Sequence, residues 1–320
     1  MIRVTDRTLS CLDAAPAKAP ALRRFLELLV RTGPDAIELS EGMWGLLGPL
    51  PDYPGYVLRI ERAEDAARYP RTPRFVCRDA PVGADPKITG EILLGDMGEA
   101  PAAAPRRAFG RVRLQGLGGA MTGDYLGIFA RLRERFRGPI EFCPTDRRGF
   151  ATALAAEWLI NGGGSEAVAS FGGVGGFAPT EEVIMVLKLA GLRDAGRTYG
   201  FFPEMASLLQ EVTGDPVPPG KPVLGKRIFH VESGIHVDGV LKRPECYEPF
   251  PPETAGLERK ILLGGQSGAA SVRAKLEELG IKHRAADIPA ILEGVKKKSG
   301  EKKGALTNRE FAEIAGACAT

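Results

Sequence analysis

The chain has 320 residues, 44% of them hydrophobic and 26% charged, with a net charge of +3; that is enough apolar material for one large core or two smaller ones, and it excludes a disordered chain. Forty-three basic residues against forty acidic ones leave no field that selects nucleic acid or an anionic membrane as a partner. The five cysteines (Cys11, Cys77, Cys143, Cys246, Cys318) contain no CxxC and are odd in number, which argues against an oxidised framework, and the three histidines (His230, His236, His283) all follow residue 229.

The first residues, MIRVTDRTLSCLD, carry charge at positions 3, 6 and 7 and no apolar h-region, so they do not read as a signal peptide. No apolar run approaches the roughly 18 residues of a membrane span, and a cytoplasmic protein is expected. Short β-type runs recur at Ile2–Thr5, Ala36–Leu39, Tyr56–Ile60, Arg74–Arg78, Glu91–Leu94, Arg111–Gln115, Ile140–Cys143 and Glu166–Phe171, mostly bounded by Gly, Pro, Asp or Ser. Amphipathic helices separate several of them: Leu22, Phe25, Leu26 and Leu29 share one face, as do Tyr125, Ile128, Phe129, Leu132 and Phe136. Eight strands alternating with helices predict an α/β fold, a (β/α)8 TIM-type barrel.

Between Ser40 and Arg111 the connectors are too short, or too rich in proline and glycine, for a full helix each. The barrel is therefore expected to be partly degenerate in its first half, with either a collapsed wall or a partner chain over the bared strands. Helical pattern returns at Thr152–Ile160, Glu181–Leu189 and Pro203–Val212. The texture then changes at PVPPGKPVLG, which places a boundary near Gly214–Gly220: a barrel domain over 1–214, then a linker arm and small α-rich region over 215–320. Within the latter, helices are expected at Ala270–Leu279, Asp287–Lys298 and Asn308–Ala315, the last opened by a capping box of Thr307 and Glu310. The lysines at 296, 297, 298, 302 and 303 read as a solvated helix end rather than a phosphate site. The loop GGVGGF at 172–177 lacks the Lys-Ser/Thr that follows a phosphate-binding loop, and reads as a flexible or close-packed connection.

From Phe229 to Gly280 the text becomes specific. It runs Phe229-His230-Val231-Glu232-Ser233-Gly234-Ile235-His236-Val237-Asp238-Gly239-Val240-Leu241-Lys242, then Tyr247-Glu248-Pro249-Phe250, then Gly264-Gly265-Gln266-Ser267-Gly268. This resembles the region after the barrel in homocitrate synthases of the nitrogen-fixation type, and more loosely in isopropylmalate and citramalate synthases, which read F-x-H-E-S-G-I-H-x-D-G-x-L-K, Y-E-P-F-x-P and G-K-H-S-G. The resemblance extends weakly over the barrel, from Asp6-Arg7-Thr8-Leu9 through Phe142 to Glu181-Glu182-Val183. It implies an acyltransferase that condenses acetyl-CoA with a 2-oxo acid at a divalent metal (Mg, Mn or Zn), which polarises the oxo group.

Carried across position by position, the same resemblance implies that the metal site is missing. The motif D-x-T-L-R-D-G-E-Q becomes Asp6-Arg7-Thr8-Leu9-Ser10-Cys11-Leu12-Asp13, F-H-x-H-N-D-x-G becomes Phe142-Cys143-Pro144-Thr145-Asp146-Arg147-Arg148-Gly149, and the loop G-E-R-x-G-N ends here in Phe177. Cys11, Cys143, Thr145 and Phe177 thus stand at degenerate ligand positions, and a lone Asp13 or Asp146 among waters does not fix a 2-oxo acid. No metal or other cofactor is expected for this chain alone. Cys11 and Cys143, at two ligand positions of one ion, form either a disulfide, a soft-metal pair or two ordinary buried thiols.

In the family the arm crosses a second subunit and supplies a histidine and a tyrosine; by the motif match these are His236 and Tyr247, with Ser233 and Thr8 as substrate contacts. One departure is that the family's other histidine falls at Val231, with His230 one place early, and another is Gln266 in place of a histidine. A barrel without ligands joined to an intact arm describes a homocitrate synthase-like pseudoenzyme, an oligomeric, non-catalytic or trans-acting subunit beside a catalytic paralogue. The competing readings are an active acyltransferase with an unorthodox site and a sensor of a 2-oxo acid or acyl-CoA.

Overall fold

The computed structural model describes residues 2–78, 85–97, 110–136, 138–193 and 196–318. Eight parallel strands form a closed barrel in chain order: β1 (Arg3–Asp6), β2 (Ala36–Ser40), β3 (Tyr56–Arg59), β4 (Arg74–Cys77), β5 (Ile88–Leu93), β6 (Arg111–Gly116), β7 (Ile140–Pro144) and β8 (Glu166–Ala169). Arg3 to Asp6 of β1 pair with Glu166 to Ala169 of β8 and close the ring. The (β/α)8 expectation is met strand by strand. β5 begins earlier than its apolar run suggested, because Ile88 and Thr89 pair with β4 across the internal Gly90. β8 ends at Ala169, where the chain turns into a short 3-10 segment at Phe171–Gly173.

Helices α1 (Thr8–Cys11), α2 (Ala19–Thr32), α3 (Glu41–Leu47), α4 (Tyr125–Arg135), α5 (Ala151–Ile160), α6 (Thr180–Leu189) and α7 (Phe202–Thr213) follow the strands. In α2 the predicted face of Leu22, Phe25, Leu26 and Leu29 is buried, and the helix stops at Gly33, whose left-handed backbone lets its N–H reach the carbonyls of Leu29 and Val30. Phe129, Phe142 and Trp158 meet edge to face or tilted, with centroids 5.1–5.4 Å apart, and anchor α4 and α5 on β7.

Among the described residues the thin side carries a two-turn α3 and a 3-10 segment at Ala63–Arg68. The later connectors fall partly at 79–84 and 98–109, outside the described residues. The expectation of a collapsed wall is corrected, since β3, β4 and β5 keep continuous parallel pairing. Their outward side chains Leu58, Phe75, Cys77 and Ile88 are at most 5% exposed, packed with Trp44, Ala63, Ala66 and Tyr69. Large aromatic rings cover there what helices cover elsewhere.

The chain divides into two compact units: one of Met1–Arg197, Glu204–Val217 and Pro222–Leu224, and one of Thr198–Pro203, Pro218–Lys221 and Gly225–Thr320. The second holds a two-stranded parallel sheet of β9 (His230–Val231) and β10 (Lys260–Ile261), with α8 (Gly234–Lys242), α9 (Ala269–Glu278), α10 (Ile288–Lys302) and α11 (Asn308–Cys318). Val272, Leu276, Ile291, Val295 and Phe311 form its core. The capping box is present, Thr307 N–H donating to Glu310 Oε2 at 2.7 Å and Glu310 N–H to Thr307 Oγ1 at 3.3 Å. The lysine run ends α10 on its exposed side. α8 lies in the linker arm, outside the three helices expected for this region. Its residues are mediocre helix formers, and burial of Val237 and Val240 carries it.

Candidate functional site

The barrel interior is ionic. TIM barrels usually fill their centre with branched aliphatics, but here Arg113, fully buried, donates through Nε and Nη2 to Glu141 at 2.9 and 2.7 Å and through Nη1 to Glu38. Arg59 donates to Glu38 at 2.8 Å and to both oxygens of Glu91 at 2.7 and 3.1 Å. Burial pushes the Glu38 carboxyl upward, yet Arg113, Arg59 and Arg7 together hold it well below the ordinary range. Glu141 and Glu91 are lowered in the same way, against their burial, by Arg113 with Arg74 and by Arg59 respectively. These residues alternate with apolar ones along each strand, as in Ala36-Ile37-Glu38-Leu39 and Arg111-Val112-Arg113-Leu114. That alternation was the available signal, and it reads as an ordinary half-solvated sheet unless closure into a barrel is taken into account.

At the C-terminal end of the strands, where such barrels keep their chemistry, all four degenerate ligand positions come together. Cys11, Cys143 and Phe177 share a small apolar cluster with Val168, and Thr145 is bridged to Phe177. Arg7 reaches into them. Its Nη1 donates to Gln115 Oε1 at 2.8 Å and to Cys143 Sγ at 3.4 Å, and its guanidinium lies 4.1 Å from the centroid of the Phe177 ring. Its Nε is buried without a partner.

The donors present do not fit a divalent cation. Burial pushes the Cys143 and Cys11 thiols up, Phe177 has no donor, and the cluster already contains a permanent positive charge. Among the described residues no group of three or more His, Cys, Asp or Glu is placed to hold an ion. Cys11 and Cys143 are not joined by a disulfide, so of the three arrangements open for this pair the disulfide is the one the structure lacks.

Thr8, expected to touch substrate, is fully buried, and its Oγ1 accepts from Phe171 N–H at 2.6 Å. It ties the end of β1 to the loop after β8. The neighbouring Asp6 accepts from Thr8 N–H at 2.9 Å and Thr180 Oγ1 at 2.5 Å, and burial, only partly offset by those bonds, raises its carboxyl to about 6. In the glycine-rich loop Gly172, Gly173, Gly175 and Gly176 all have φ between 70° and 79°, and Gly175 leaves only 3.0–3.1 Å between an added Cβ and Phe177 or Cys11, whereas Gly176 faces open space.

In the second unit, Ser233 opens α8 without a side-chain cap bond. His236 and Tyr247 meet on the exposed side of the helix, ring centroids 5.9 Å apart and edge to face. The tyrosine ring lies on Gly239, where a Cβ would come within 2.2 Å of it. Glu232 accepts from Gln266 N–H at 3.0 Å, which joins the two glycine-containing motifs of the arm. Replacing Gly239 by alanine is expected to leave the helix folded, since alanine is favoured over glycine by about 1 kcal/mol, while swinging Tyr247 off His236. Loss of ring-to-ring NOEs with unchanged circular dichroism checks it; retained NOEs would refute the packing.

The family model described as "Homocitrate synthase post-HMGL domain-like" matches residues 223–303. The chain is 28% identical over 310 residues to the omega subunit of homocitrate synthase from Clostridium pasteurianum, covering 91% of this chain and 88% of that protein. It is 41% identical over 171 residues to a putative (R)-citramalate synthase, CimA, of Methanosphaerula palustris, covering 52% of this chain and 33% of that protein. With the homocitrate synthase AksA of Methanothermobacter thermautotrophicus it shares 40% identity over 165 residues, 51% of this chain and 42% of that protein. Beside an eight-stranded barrel followed by the motifs of Phe229 to Gly268, these matches lead to one conclusion: the chain is similar to proteins of the homocitrate synthase and isopropylmalate synthase family.

Proposed function

We propose that this protein is a non-catalytic subunit of a homocitrate synthase-type assembly, whose arm completes the active site of a metal-binding paralogue. The observation that carries the reading is Arg7: a guanidinium bonded to Cys143 and stacked on Phe177 puts a fixed charge among the positions that would otherwise gather a metal. The arm supports the second half of the reading. His236 and Tyr247 are exposed and adjacent, with neither ring tied to a hydrogen-bond partner among the described residues. An imidazole so placed can move the proton that acetyl-CoA loses, or the one that the new alkoxide gains, with the phenol donating a hydrogen bond. A relative of nearly equal length is itself named a subunit of homocitrate synthase, which is consistent with a divided enzyme.

The test is condensation of acetyl-CoA with 2-oxoglutarate in the presence of Mg2+ or Mn2+, run with this protein alone, with a ligand-complete paralogue alone, and with both. The expected result is no turnover alone and a changed paralogue rate in the mixture, with the change reduced by about 10²-fold or more in His236→Ala. Metal-dependent turnover by this chain alone, or a mixture identical to the paralogue alone, would sink the proposal.

A further inference from the structure

We propose that the cavity between β10, α9 and the start of α11 binds a small carboxylate with an aliphatic body. The cavity measures about 500 Å³ and lies wholly within the second unit, a volume within the ordinary range of small-molecule sites. Its floor is apolar, with Leu263, Leu306 and Phe311 each at most 9% exposed. Lys260, Lys275 and Arg309 also line it, and among the described residues no acidic one does.

Lys275 is the residue that asks for an explanation. α9 buries Ser271, Val272, Lys275 and Leu276, so a lysine occupies a position where helical spacing calls for an apolar side chain. It is 3% exposed, and a lysine so buried is rare unless paired. Its ammonium carries three donors, of which one is directed to Glu278 Oε2, 2.6 Å away on a half-exposed side chain. The two remaining N–H groups have no partner among the described residues, and Lys275 is one of the residues that line the cavity. On the same wall the first-turn amides of Asn308 and Arg309 lack intrahelical acceptors, as at every helix start, and add positive potential. A carboxylate at Lys275 satisfies those donors, and an aliphatic chain over Leu306 and Phe311 displaces water from apolar surface. Acid without chain, or chain without acid, meets half of the site.

The test uses the whole protein and three probes: hexanoate, acetate and hexan-1-ol, titrated calorimetrically. Hexanoate is expected to bind at least about tenfold more tightly than either of the others. Lys275→Met, which keeps the length and apolar packing of the stem, should weaken hexanoate by about tenfold or more while leaving hexan-1-ol unchanged. Should Lys275→Met fail to fold, Arg309→Gln at an exposed position serves as the second variant and should weaken hexanoate alone. No binding of hexanoate, equal binding of acetate, or unaltered hexanoate binding in a folded variant would overturn the assignment.

Discussion

Arg113→Met is expected to destabilise the barrel by about 3–5 kcal/mol, a shift in melting temperature on the order of 10 °C. The side chain and the carboxylates of Glu38 and Glu141 that it joins are all fully buried, and Glu91 lies 3.9 Å away. Methionine approximates the volume but withdraws the charge. Arg59 then remains for Glu38, and Arg74, 3.6 Å away, for Glu141, which leaves two fully buried carboxylates competing for weakened compensation. The measured loss is the penalty of stranded charge rather than the net worth of the ion pairs, because replacing a whole buried network by apolar groups is often neutral. Chemical denaturation monitored by tryptophan fluorescence checks it, Trp158 lying in the adjacent core. A loss below about 1 kcal/mol, the level of exposed pairs, would mean that the barrel centre is wetter than its packing implies.

Asp6→Asn is expected to change the pH dependence of stability with the opposite sign to most carboxylate substitutions. The Asp6 carboxyl is raised to about 6 in the folded protein, above its ordinary value of 3.8, by burial. Its favourable contribution is therefore complete below pH about 4 and is lost as pH rises through about 6, a cost of about 3 kcal/mol above that. Asparagine keeps the geometry: its oxygen accepts from Thr8 N–H and its amide donates to Thr180 Oγ1. The variant should match the native protein near pH 4 and exceed it in stability at pH 7–8. Glu38, Glu91 and Glu141 are lowered, so they stabilise above their ordinary range and lose that contribution as pH falls; this acts equally on both proteins and cancels in the difference. A difference constant from pH 4 to 8 would show that Asp6 does not titrate as described.

The strands of this fold were legible because most are short runs with β-branched or aromatic residues bounded by a turn residue, as Gly55 precedes Tyr56-Val57-Leu58-Arg59. Parallel pairing within a ring then leaves little freedom of register. That the ligand positions of the family motif hold other residue types at Cys11, Cys143 and Phe177 was legible from the sequence. What occupies their place was not: Arg7 stands at a variable position of that motif, and nothing in a linear pattern says that its side chain turns inward over Phe177. Lys275 was hidden for a related reason, since a lysine in Arg273-Ala274-Lys275-Leu276 reads as the solvated face of a helix until α9 is packed.

The ionic filling of the barrel has a thermal consequence. The heat capacity of unfolding rises with apolar surface exposed and falls with polar surface exposed. A barrel centred on Arg59, Arg113, Glu38, Glu91 and Glu141 releases less apolar and more polar area than one centred on valine and isoleucine. Its stability curve should be flatter than that of an aliphatic-centred barrel of the same length, so that this protein loses less stability per degree on either side of its optimum.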